Sequence, residues 1–74
     1  MNKEKKIRFL GSRLTGWMIW EGRNRVAYMK IKDKRHLHIY TNNLVWTKGH
    51  QERVLHAIHT NPRYKMYKKI FINS

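Results

Sequence analysis

The stretch RVAYMKIKDKRHLHIYT, residues 25–41, constrains this chain more than any other. Successive side chains of an extended strand point to opposite faces, so residues two apart share one. Between Arg25 and Lys32 the pattern sets Ala27, Met29 and Ile31 on one face and Val26, Tyr28, Lys30 and Lys32 on the other. Between His36 and Thr41, Leu37 and Ile39 share a face, and His36, His38 and Tyr40 share the opposite one. Two alternating runs joined by the polar Asp33-Lys34-Arg35 predict a β-hairpin. Its apolar side must be covered by some other element, whereas its charged, aromatic side is not needed to build a core.

The cover comes from the period change after Trp46. In HQERVLHAIH the residues Gln51, Val54, Leu55 and Ile58 fall on one helical stripe, with Arg53, His56 and His59 opposite. Thr47 is placed to cap the N-terminus, and Glu52 suits the positive end of the helix dipole in the first turn. Pro62 disfavours helical geometry at the residue before it, so the helix ends near Thr60 and Asn61. Upstream, residues 7–10 open a first strand, GSRLTG reads as a loop, residues 17–20 form a second strand and EGRN is a turn by composition. Asn42-Asn43 marks a further turn, after which residues 44–46 offer one more short strand. Trp17 and Trp20 are an odd step apart, so in a regular strand one faces the core and the other the opposite surface. The tail, RYKMYKKIFINS, reads either as a second helix opened by Asn61-Pro62 or as a strand over Lys69 to Asn73; a helical turn followed by extended chain combines the two.

The expected architecture is α+β: a small antiparallel sheet of three to four strands (7–10, 17–20, 25–32, 36–41, with 44–46 as an optional addition) and one helix over 49–60 packed on one face, then a basic tail. Residues 1–74 form a single domain, with 1–6 as a flexible arm. A chain of 74 residues without cysteine has no disulfide or thiolate–metal staple to help a thin core, so its three Trp, four Tyr and two Phe supply the bulk.

Charge decides the function class. Seventeen Lys and Arg against four acids give a formal charge of +13 and a pI near 10.7. That self-repulsion is relieved beside a polyanion, so nucleic acid, DNA or RNA, is the expected partner. An acidic surface on a host protein is the alternative, and the oligomeric state is left open. A membrane is not expected: the longest apolar run, WMIW, spans nothing, and MNKEKKIRF lacks the apolar core of a signal peptide. A cytoplasmic location follows as the default.

On the hairpin's polar face Tyr28, Lys30, Lys32, His36, His38 and Tyr40 interleave aromatic planes with cations, which suits bases and phosphates respectively. Arg23, Arg25, Lys34 and Arg35 at the hairpin ends extend the positive field, and Arg63, Lys65, Lys68 and Lys69 with Tyr64 and Tyr67 form a second basic cluster in the tail. None of the four acids (Glu4, Glu21, Asp33 and Glu52) falls on that polar face. No metal or other cofactor is expected, because His36 with His38 and His56 with His59 lack a cysteine or nearby carboxylate to complete a shell. Catalytic residues are not assigned. The one enzymatic reading considered is a metal-independent ribonuclease using His36, His38 and Tyr40, and it lacks any signature spacing or enclosed pocket. In element order alone, a basic three-stranded sheet followed by a helix resembles the arm-type DNA-binding domains of phage integrases and a plant family of DNA-binding domains. The resemblance is one of element order and carries over no individual residue. Separately, a cysteine-free, very basic chain of this length is in keeping with a small phage or mobile-element regulator.

Overall fold

A computed structural model describes residues 6–33, 35–67 and 69–73. The chain forms β1 (Ile7–Ser12), β2 (Gly16–Glu21), β3 (Asn24–Lys32), β4 (His36–Thr41), α1 (Lys48–Thr60) and β5 (Lys69–Asn73). One five-stranded sheet runs in the order β1-β2-β3-β4-β5. The first four strands are an antiparallel meander, and β5 pairs with β4 in parallel, Leu37 against Ile70 and Ile39 against Ile72. A parallel neighbour cannot be reached by a tight turn, and α1 supplies the necessary crossover.

The architecture is α+β, as the sequence pattern predicts, but the sheet is mixed and has one strand more than the three to four expected. The additional strand is β5, one of the two readings of the tail but left out of the strand count; its Ile70 and Ile72 pack against the core while Lys69 and Phe71 stay exposed. The basic tail is therefore a turn over residues 62–66 followed by an edge strand. Residues 44–46 are not a strand: Asn42 gathers them into a turn, its carbonyl accepting from the Val45 and Trp46 N–H groups at 3.0 and 2.8 Å. Gly11, Ser12 and Gly16, expected in a loop, extend β1 and β2.

Ala27, Met29, Leu37 and Ile39 are buried on one face with Trp17 and Ile19 of β2, and Val54 and Ile58 of α1 close over them. Lys30 is exposed and Ile31 packs against the core, so the hairpin register follows the alternation. Val26 departs from it. The register slips between Ile19–Ala27 and Trp20–Arg25, leaving Val26 as the extra residue of a β-bulge that turns its side chain inward to full burial. Trp17 and Trp20 divide as their odd spacing requires, Trp17 buried and Trp20 on the opposite face.

Thr47 caps α1: its hydroxyl accepts from the His50 N–H, and His50 Nδ1 accepts in return from the Thr47 N–H at 3.1 Å. The helix begins at Lys48, so Glu52 lies beyond the first turn and His50 takes the place an acid was expected to hold. Past the helix, Tyr64 drops back onto the core, edge-on to Trp17 at 5.1 Å and tilted against Phe9 at 4.9 Å. No helix among the described residues is long and apolar enough to cross a membrane.

Two outcomes check this packing. Ile39→Ala should cost about 2–5 kcal/mol in a denaturant titration, whereas Lys30→Ala should stay within about 0.5 kcal/mol. Burial raises the Tyr64 hydroxyl above its ordinary value of 10.0. Below that value the folded and unfolded phenols are both neutral. Above it the unfolded phenol ionises first, so stability is lost as pH rises toward the folded value. Tyr64→Phe should therefore match the parent at neutral pH and lose less stability on alkaline titration.

Candidate nucleic-acid interface

Because α1 packs on one side only, the other side of the sheet is open. The paired rows across it follow from the register. Arg8, Trp20 and Arg25 form one row, and Leu10, Met18, Tyr28, Tyr40 and Asn73 the next. Lys30, His38 and Phe71 form a third row, and Lys32, His36 and Lys69 a fourth. Aromatic rings thus occupy the middle of the face, and cations stand at both ends.

The rings are fixed in place. Tyr28 lies diagonally across Gly16 and its hydroxyl donates to the Thr15 carbonyl. A Cβ at Gly16 would overlap the Tyr28 hydroxyl and come 2.6 Å from Cζ, so only glycine leaves room for the ring. The positive φ of Gly16, 84°, imposes the same choice on the backbone. Tyr40 is tilted against Tyr28 at 6.4 Å, and Lys32 Nζ sits 5.4 Å from its ring centre, within cation–π range. His38 stacks on Phe71 at 4.9 Å and lies nearly parallel to Tyr40 at 6.5 Å. Phe71, backed by His38 and touched edge-on by His36, keeps 42% of its surface exposed. Leu10 and Met18 add exposed apolar surface beside the rings.

No carboxylate lies on this face among the described residues. Asp33 holds a left-handed turn (φ 57°) beside His36, and Glu52 is exposed on α1. Glu21 was expected in a turn, but it ends β2 with its side chain on the covered side and only 2% of the residue exposed. Arg53 meets it with two nitrogens, Nε–Oε2 at 2.5 Å and Nη2–Oε1 at 3.0 Å, and His50 Nε2 lies 3.0 Å from Oε1. The hydrogen bond to Glu21 raises the Arg53 guanidinium above its ordinary range against a smaller opposing effect of burial. The side of α1 read as solvent-facing therefore sends Arg53 back to the sheet. At the arginine end of the open face, Arg8 Nη2 donates to the Gly22 carbonyl at 3.0 Å, and Arg25 Nη1 lies 3.9 Å from Met18 Sδ. Between them the buried Trp20 Nε1–H has no acceptor among the described residues.

Of the residues singled out by sequence, the structure brings Arg25, Tyr28, Lys30, Lys32, His36, His38 and Tyr40 onto this one face. Arg23 and Arg35 are exposed in the turns at its two ends. Arg63 and Lys65 flank Tyr64 on the helix side of the sheet and do not join the face. Lys34 and Lys68 lie outside the described residues. Missed were Arg8 at one end, Leu10 and Met18 beside Tyr28, and Phe71 on the far edge; Lys69, read as part of the tail cluster, reaches the face through β5, and Trp20 is the indole that the odd spacing left for a surface. The alternation of Ile70 and Ile72 with Lys69 and Phe71 was the signal for Phe71. Among the described residues, no three His, Asp or Glu side chains gather as a metal site. No family model, curated protein or solved structure matches this chain.

The seating of Tyr28 can be tested directly. Gly16→Ala should cost about 1–3 kcal/mol from the forced backbone alone and displace the ring, whereas Tyr28→Phe should cost about 0.5–1.5 kcal/mol for one hydrogen bond. Thermal unfolding with near-ultraviolet circular dichroism reads both the stability and the tyrosine environment.

Proposed function

We propose that this protein binds nucleic acid through the open face of its sheet and acts as a binding protein, not an enzyme. One observation supports this above the rest: the uncovered face combines aromatic rings with Arg8, Arg25, Lys30, Lys32 and Lys69 and carries no carboxylate among the described residues. Cations attract phosphates and release their counterions, and the one described carboxylate that borders the face, Asp33 in the turn with Oδ2 3.9 Å from His36 Nδ1, leaves the rows of rings and cations without an acid among them. Rings add contacts to the bases, which a merely soluble basic surface would not need. His36 and His38 pack edge-on and face-on against Phe71 on an open sheet surface, an arrangement suited to contact and lacking the enclosed pocket that acid–base chemistry uses.

Binding measured by fluorescence anisotropy should weaken steeply with salt. Four phosphate contacts to a single strand correspond to a loss of roughly fiftyfold between about 50 and about 200 mM monovalent salt. Lys30→Gln and Lys32→Gln should each lower the logarithmic salt slope by about 0.7. Arg63→Gln and Lys65→Gln, on the other side of the sheet, should change it less. No binding at the lower salt to any oligonucleotide, single- or double-stranded, would overturn the proposal.

A further inference from the structure

Resting on that reading, we infer that the nucleic acid taken by this face is an unpaired strand, held by bases stacked on Tyr28 and Phe71. Each of these rings has one side already occupied by protein. Tyr28 lies over the backbone at Gly16 with its hydroxyl tied to Thr15, and Phe71 is backed by His38 at 4.9 Å. Rings fixed in this way accept a base with little further loss of side-chain freedom, which is what preorganisation contributes to affinity. The two rings stand on β3 and β5, separated by β4. With strands about 4.8 Å apart, the columns that carry them are about 10 Å apart. A duplex cannot stack on both, because its bases follow one another at about 3.4 Å per strand and hide their faces against their neighbours. An unpaired strand can splay consecutive bases apart and offer each to its own ring.

The charges between and around the rings agree. Lys30 shares a row with His38 and Phe71, and Lys32 reaches over Tyr40 between the two columns, so cations stand where a backbone linking the two bases would pass. A second copy of the chain is a poor occupant, because apposing two such faces would bring their Lys and Arg rows together in a molecule that already carries +13.

The test uses the full chain and three fluorescent probes of equal phosphate number at one moderate salt concentration: a mixed-sequence single strand, its abasic counterpart, and a duplex of half its length. The single strand should bind roughly tenfold or more tightly than either of the others, the difference being base stacking. Phe71→Leu and Tyr28→Leu should each reduce that preference severalfold without changing the salt slope, since neither alters charge. Should a variant fail to fold, the comparison of the three probes on the unaltered chain still decides the matter. Equal binding of the abasic and normal strands, or tighter binding of the duplex, would overturn this inference and leave nucleic-acid binding standing. If none of the three probes binds, both fail together, and an acidic protein surface becomes the occupant to seek.

Discussion

A carboxylate withdrawn from water on a sheet must find cationic or hydrogen-bonding partners, and in this fold Glu21 finds them on the helix. The interaction does two things at once. It ties the last residue of β2 to the first half of α1, through Arg53 and through His50, whose other ring nitrogen takes part in the N-terminal cap. It also draws the sheet's one described carboxylate to the covered side. The position of the helix and the sign of the uncovered face are therefore consequences of the same contact. Most of the remaining architecture is apolar and non-directional, so this polar contact specifies where the helix sits as well as adding to its hold.

The open face depends on equally local causes. Gly16 leaves the space into which Tyr28 lies, and the bulge at Val26 restores Arg25 to the open side while turning a valine into the core. Without that extra residue, the alternation would place Val26 among the cations. The two irregularities lie toward opposite ends of β2, where it meets β3. Between them the strands run in regular register and carry the pattern that alternation alone dictates.

Much of this was legible from the residues. The hairpin of β3 and β4, the burial of Val54 and Ile58, the capping Thr47 and the opposed indoles of Trp17 and Trp20 all follow from period and local chemistry. What escaped reading was non-local. An extended segment over residues 69–73 was among the readings of the tail, but its place as a parallel neighbour of β4 depends on the helix that carries the chain across and leaves no local mark in the sequence. Val26 sits on the polar face by counting, because a bulge is set by the pairing of two strands and not by either one. Glu21 reads as a turn residue by composition, since its partners, His50 and Arg53, lie some thirty positions further along. The aromatic and basic hairpin residues were placed on one face correctly, while the β1, β2 and β5 columns that widen it became visible only with the topology.

The parallel β5 also fixes when the open face can be complete. β1 to β4 join by short turns and can pair as a local meander, whereas β5 meets β4 through partners 33 positions apart, such as His36 and Lys69, and needs the helix in position first. Phe71 stands on that final strand and has its ring backed only once it lies beside His38. On the proposed reading, a partly folded chain displays its lysines and arginines to a polyanion without the fixed rings, and discrimination comes with the closing of the sheet, so that completion of the fold and completion of the surface are one event.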